Sequence, residues 1–139
     1  MPGLFGVAVE AVIEKEGKIF IGKRAGSREH MPGIWECLSG RVEQGETAEE
    51  AVVREIKEET TLAVTVVEPF NTFRFIRETG KQEYQGISFW CKYKSGEVTI
   101  DPREHSEYKW VTPREALNYI KLPNITTSIN RFIERFEKL

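Results

Sequence analysis

The sequence predicts an α+β (α/β) fold, a mixed β-sheet packed by helices, and three observations carry that reading. Short apolar runs rich in branched residues recur on both sides of one acid-rich helical stretch. Helix-start chemistry stands at Thr47 and again at Thr112. The chain then ends on a segment whose apolar residues Ile129, Phe132, Ile133 and Phe136 repeat at helical spacing. In order, the elements read β-β-β-α-β-β-β-β-α-α.

Leu4 to Ile13 is rich in Val and Ala with partial alternation, as in a strand. The turn Glu14-Lys15-Glu16-Gly17 joins it to Lys18–Arg24, where Ile19, Phe20 and Ile21 mark a buried strand and complete a hairpin. Residues 25–33 (AGSREHMPG) are polar and broken by Gly and Pro, so they form a loop. Ile34 to Leu38 is a short strand ending at Ser39-Gly40. Thr47 and Glu50 have the spacing of a capping box, placing a helix from Ala48 to about Thr60 with Val52, Val53 and Ile56 toward the sheet. Leu62–Val67 is a β-branched strand stopped by Pro69. Thr72–Arg77 and Tyr84–Lys94 form a second hairpin about Glu78-Thr79-Gly80. After a polar loop, 95–106, Glu107–Val111 is the last strand. Pro113 is suited to a first helical position behind Thr112, giving a short helix to about Ile120, and Asn124–Leu139 is the closing amphipathic helix.

Composition narrows the function classes. A chain of 139 residues is expected to form one domain, residues 1–139, with a real hydrophobic core. No run reaches the roughly 18–20 apolar residues of a membrane span, and the N-terminus lacks the charged start and apolar run of a signal peptide. Cys37 and Cys91 form no CxxC pair and read as reduced, partly buried thiols of a cytoplasmic protein. A net charge of -2 gives no reason to expect a nucleic-acid polymer or a membrane surface as partner. An anionic ligand must then be met by local positive charge or by a metal.

The acid-rich helix is where chemistry concentrates. Glu55, Glu58 and Glu59 share one helix face at spacings i, i+3 and i+4. Like charges at that spacing destabilise a helix, and Glu58 and Glu59 lie in the last turn, where the helix dipole favours cations. A solvated acidic face with an Arg54–Glu58 ion pair is one account of it. The other is a hard divalent cation, which takes carboxylate oxygens. The preceding loop favours the second account, since Gly40 and Gly45 allow tight backbone and Glu43 and Glu46 add acids.

The stretch from Gly40 to Leu62 resembles the Nudix box, G-x5-E-x7-R-E-U-x-E-E-x-G-U with U a bulky aliphatic residue. Gly40, Glu46, Arg54, Glu55, Ile56, Glu58, Glu59 and Leu62 stand at its defined positions. Thr61 replaces the second glycine, where a left-handed backbone is expected and a β-branched residue fits poorly. The upstream run IFIGKRAGSREHMPGIWE is similar to MutT-like members, although Leu38-Ser39-Gly40 stands where they often have Pro-Gly-Gly.

The resemblance implies an α/β/α sandwich with the mixed sheet between helices. It also implies hydrolysis of a nucleoside diphosphate linked to another group, by attack of water on phosphorus with Mg2+ or Mn2+. Glu55, Glu58 and Glu59 would then be metal ligands, with the backbone carbonyl of Ser39 as another and Glu46 assisting through the metal's water shell. Arg54 would orient the acids, and Glu55 would take part in catalysis. A loop acid would help as base, Glu104 in preference to Glu107, with His105 beside it a further possibility or plain polar surface. Arg24 and Lys23 would meet phosphate, with Arg41, Arg74 and Arg77 as weaker candidates. Asn124 would bind a base or simply cap the last helix. Phe89, with Trp35, Phe75 and Trp90, would offer a stacking wall or belong to the core. The partner implied is a small nucleotide, a (d)NTP of MutT type such as an 8-oxo-dGTP-like compound, and the protein a monomer or homodimer. ADP-ribose, dinucleoside polyphosphates and coenzyme A stay open as substrates, as does a nucleotide-sensing module without catalysis.

Overall fold

Strands β1 (Gly6–Lys15) and β2 (Lys18–Arg24) leave their shared turn as a hairpin and then part. Into the gap between them run β3 (Trp35–Glu36), paired to β2, and β4 (Leu38–Arg41), paired to β1. The chain changes partner at Cys37. The apolar run from Ile34 to Leu38 therefore forms two short strands rather than the expected single one, because each diverging strand needs its own neighbour to satisfy its backbone. The computed structural model, which describes residues 3–77 and 79–138, continues with helix α1 (Ala48–Thr60), strands β5 (Ala63–Ile76), β6 (Glu83–Ser95) and β7 (His105–Val111), and helices α2 (Pro113–Tyr119) and α3 (Pro123–Glu137).

The sheet runs β3-β2-β1-β6-β5, with β4 also on β1 and β7 also on β2. β6 lies parallel to β1 over Gly6–Glu14, and the other pairings are antiparallel. The two strands expected on either side of Pro69 are one continuous β5. Its register against β6 shifts on both sides of Pro69, and an irregularity of that kind tolerates a residue that cannot donate to the ladder. The expected turn residue Glu78 lies outside the described residues, as does Leu139 at the end of the last helix.

Alternation along the strands divides the core between the two faces. Val9, Ala11, Ile13, Phe89 and Cys91 pack under Ala51, Val52 and Ile56 of α1. Val12, Ile21 and Trp90 pack on the opposite face against Ala116 of α2 and Ile129, Phe132 and Ile133 of α3. The result is the expected sandwich of a mixed sheet between helices. Val53, expected on the packing face, is 37% exposed, and Ala51, on the other side of Val52, is buried in its place. Both cysteines are free and fully buried, and burial raises both thiols, that of Cys91 to about 12.

A polar layer interrupts the α3 face. Ser88 Oγ donates to the buried Glu10 carboxyl (2.8 Å), Asn71 Nδ2 donates to the hydroxyls of Ser88 (3.2 Å) and Ser128 (3.0 Å), and Arg131 donates to Asn71 Oδ1. Burial raises Glu10 to about 7, against the hydroxyl bonds that favour its charged form.

Both ends of α1 are built by side chains. Thr47 and Glu50 form the reciprocal capping box, Glu50 N to Thr47 Oγ1 at 3.1 Å and Thr47 N to Glu50 Oε1 at 2.9 Å. At the exit, Thr61 takes the left-handed conformation (φ 66°, ψ 2°) expected of the glycine that it replaces in the motif. A left-handed L-residue costs about 1–2 kcal/mol. Thr61 Oγ1 offsets this by donating to Glu97 O at 2.5 Å, a bond glycine cannot make, and its N–H closes on Lys57 O at 2.9 Å. The helix therefore ends where a glycine would end it. Thr61→Val keeps the strained backbone and removes the hydroxyl bond, so urea unfolding should show a loss of about 1 kcal/mol. Thr61→Gly, which exchanges strain relief for that bond and for a more flexible unfolded chain, should stay within about 1 kcal/mol of the wild type.

Candidate active site

The divergence of β1 and β2 opens a cleft at the end of β4, walled by the second half of α1, the β2–β3 loop and the β6–β7 loop. It has a volume of about 640 Å3. Its lining holds Glu36, Glu43, Glu55, Glu58, Glu59, Asp101 and Glu104, with Arg24, Arg28, Arg41, Ser39 and Gly40. Carboxylates outnumber guanidiniums in this space, so the cleft attracts a cation before it can receive an anion.

Gly40 sets the distance between β4 and α1. A Cβ at that position would lie 2.1 Å from Glu55 Cδ, so only glycine admits the helix carboxyl this close to the strand. Burial raises the pKa of Glu55, with the neighbouring Arg54 opposing the shift.

Arg54 gathers the acids of the loop and helix. Its Nε and Nη2 donate to the two oxygens of Glu46 (3.1 and 2.6 Å), and its Nη1 donates to Glu55 (2.9 Å) and Glu58 (3.2 Å). Nη2 also donates to the carbonyl of Arg41 at 2.9 Å, pinning the helix to the end of β4. Glu46 accepts in addition from Glu43 N at 2.8 Å. Both Glu46 oxygens are thus committed to Arg54, one of them also to the loop backbone, and Glu46 does not line the cleft.

Glu59 is the exception. Its Oε2 is buried without a hydrogen-bond partner among the described residues. Burial, and then the charges of Glu55, Glu36 and Glu104, push its carboxyl up to about 8, while Arg28 pulls the other way. A buried carboxyl with an unpaired oxygen, beside a glycine that makes room for a second carboxyl, fits a hard divalent cation with oxygen ligands. Among the described residues no three His, Cys, Asp or Glu groups already stand together as a cage. Glu55 and Glu58 are each held by Arg54, and Glu104 by Arg28 at 3.1 Å.

The remaining sequence candidates separate clearly. Glu104 reaches the cleft, whereas Glu107 is an exposed residue of β7 paired across from Lys23. His105 is neither loop nor surface: it opens β7, is 2% exposed, and lies 2.9 Å through Nε2 from Glu36 Oε2. It packs on Gly22, where a Cβ would meet its ring at 2.8 Å. Arg24 lines the cleft but is braced within its own loop, Nε and Nη2 to His30 O (3.0 and 2.8 Å) and Nη1 to Glu36 (3.2 Å). Lys23 pairs with Trp35 and stays outside the lining.

Asn124 is exposed, one residue inside a helix whose cap is Leu122 and whose first position is Pro123. It neither caps α3 nor lines the cleft. Phe89 is 3% exposed in the core under α1, and Trp90 packs edge-on against Phe132 and Phe136. Trp35 meets Tyr119, and Phe75 stacks on Tyr84 at 5.0 Å, both away from the cleft lining. Arg74 pairs with Glu83, and neither it nor Arg77 lines the cleft; Arg41 does.

Sequence reasoning passed over Arg28, Glu36 and Asp101. No helical or strand spacing links them, and the one available signal was their charge, on two loops and the short strand β3 that the fold brings together. Asp101 is shaped by its own loop, bound by Arg103 and accepting through its carbonyl from Glu104 N and His105 N at 2.9 Å.

The NUDIX domain family model matches residues 4–136. The chain belongs to the Nudix hydrolase family. Among its relatives are a CTP pyrophosphohydrolase of Escherichia coli K12, 32% identical over 83% of this chain and 82% of the relative, and the nucleoside triphosphatase NudI of Enterobacter sp. strain 638, 35% identical over 83% and 86%. The crystal structure of a MutT protein from Methanosarcina mazei Go1 superposes with a TM-score of 0.79 at 26% identity, covering 97% of this chain and 96% of that one. Nudix hydrolases generally use divalent metal ions, consistent with the acid chemistry of this cleft. Among the described residues, no helix is long and apolar enough to cross a membrane.

The raised carboxyl of Glu59 has a measurable consequence. Below about pH 4.5 it is protonated both folded and unfolded. Between that pH and about 8 the folded protein holds a proton that the unfolded chain releases, so stability falls as pH rises through this window. In chelator, Glu59→Gln should stabilise the protein at pH 8–9 by about 1–3 kcal/mol relative to wild type, and the difference should vanish below about pH 4.5. Urea unfolding across the pH range checks both limbs.

Proposed function

We propose that this protein is a Mg2+-dependent pyrophosphohydrolase, with Mn2+ as a substitute, that cleaves a phosphoanhydride bond of a nucleoside triphosphate by attack of water on phosphorus. The observation that carries the reading is the convergence of Glu55, Glu58, Glu59 and Glu104 on the cleft beside Ser39 and Gly40. The triphosphate substrates in the names of the two curated relatives support the choice of substrate class. The free buried cysteines support a reducing, cytoplasmic setting.

When bound, a divalent ion neutralises the diphosphate and makes water a better nucleophile. Glu55, Glu58 and Glu59 would hold it, with the Ser39 carbonyl at the end of β4. Arg54 keeps Glu55 and Glu58 aimed into the cleft and is itself anchored by Glu46, so Glu46 acts through Arg54. Glu104, from the facing loop, accepts a proton from the attacking water at a carboxylate oxygen. Arg41 faces the space a diphosphate would enter and offers guanidinium donors to its oxygens, while Arg24 lines that space as a brace whose three nitrogens are already bonded. Lys23, Asn124 and Phe89 have no part in this arrangement, given their positions outside the cleft.

Hydrolysis of a panel of NTPs and dNTPs, together with ADP-ribose and a dinucleoside polyphosphate, with and without Mg2+ and with products identified, tests the proposal. Turnover should require the metal and favour a triphosphate. Glu58→Gln should lower kcat by about 100-fold or more, since it removes a charged ligand without disturbing the core. Undiminished turnover in that variant would sink the mechanism, and nucleotide binding without turnover in the wild type would identify a sensor instead.

A further inference from the structure

We propose that Arg28 is a positioning residue that pairs with the loop acid Glu104 and transfers to a phosphoryl oxygen when a diphosphate enters the cleft, leaving Glu104 free to act. The inference rests on the hydrolase reading above and adds a residue that the box motif does not contain.

Arg28 sits in the β2–β3 loop and lines the cleft. Its Nη1 lies 3.1 Å from Glu104 Oε2, 3.4 Å from the Glu104 carbonyl and 3.9 Å from Glu36 Oε2. The pair is not locked in the interior: the Arg28 side chain is 26% exposed and that of Glu104 42%. A partly solvated ion pair of this kind is weak and exchanges readily. Among the described residues, Nε and Nη2 of Arg28 have no acceptor. Arg24 differs, because all three of its nitrogens are bonded and its side chain is 12% exposed. Arg24 is therefore the brace of this loop and Arg28 its available cation.

The backbone already fixes the two partners relative to each other. Ala25 N donates to Glu104 O at 2.9 Å, and Arg28 N closes a turn on Ala25 O at 3.1 Å. Only the guanidinium has to move. Arg28 and Glu104 also act with opposite sign on the buried carboxyl of Glu59, so both lie within electrostatic reach of the α1 acids. A diphosphate offers more negative charge than a lone carboxylate and several oxygens to a planar guanidinium, so it is the better partner once present. Without it, Arg28 competes with any metal ion for Glu104. The same competition neutralises one acid of an otherwise overcharged cleft.

The test separates this role from a structural one by a change of sign. Binding of Mn2+ to the full-length, nucleotide-free protein, followed by paramagnetic resonance of the free ion, should tighten about threefold or more in Arg28→Ala, since a competing cation is gone. Arg28→Lys should stay near wild type, and Arg28→Ala should have no such effect in a Glu104→Gln background. Binding of inorganic pyrophosphate with Mn2+, measured by calorimetry, should weaken about tenfold in Arg28→Ala and recover in part in Arg28→Lys. Thermal melts by circular dichroism verify that each variant is folded. Weaker or unchanged Mn2+ binding in Arg28→Ala, or unchanged pyrophosphate binding, overturns the proposal. A wild type that hydrolyses no nucleotide overturns the hydrolase reading, and the two binding measurements still decide the role of Arg28.

Discussion

The close approach of Gly40 to Glu55 is the contact on which the cleft depends. Two strands that begin as a hairpin and then separate leave room for β4, and β4 brings a residue without a side chain against the middle of α1. Any larger residue would push the helix away or turn Glu55 aside. Arg54 then locks the geometry from the other side, tying α1 to the Arg41 carbonyl and to the loop acid Glu46. Helix, loop and strand end are thereby held as one unit, and the acids need little reorganisation before they can bind a cation.

That arrangement carries a thermodynamic penalty that the core must bear. Glu59 has an unpaired buried oxygen and Glu10 is buried on the far face, and both carboxyls are pushed well above their ordinary range. Each opposes folding near neutral pH. The two differ in kind. Glu10 is satisfied by Ser88 within a hydrogen-bonded layer, whereas nothing among the described residues satisfies Glu59 Oε2. An unpaired buried oxygen of this kind suits a ligand, and the excess of acids over arginines around it suits a cation. Apolar packing on both faces of the sheet compensates for this local repulsion.

Thr61 and Ser39, the two departures from the family pattern, leave the site intact for local reasons. Thr61 adopts the left-handed exit and secures it with a side-chain bond to Glu97, so the turn bearing Glu58 and Glu59 keeps its place. Ser39 sits in paired β4 across from Glu10 and lines the cleft.

Local physics made much of the molecule legible in the chain itself. The capping box at Thr47, the Thr112 cap with Pro113 behind it, the acid spacing on α1 and the apolar stripe of α3 are short-range patterns, and each stands in the structure where the sequence placed it. Strand limits were less legible, since whether Cys37 or Pro69 interrupts a strand depends on which neighbour supplies hydrogen bonds. Glu104 is singled out through the family resemblance, whereas the other residues that face Glu59 from other elements, Arg28 and Glu36, and the burial of His105 against Glu36, are the work of tertiary structure alone. They come from loops and strands far apart in the chain, brought together by the splay of β1 and β2 and the pairing of β7 on β2. The sequence by itself determined which acids share a helix face, because helical spacing is a local property. Only the packed sheet decided which cations and acids meet them, because electrostatic partnership depends on distance in space.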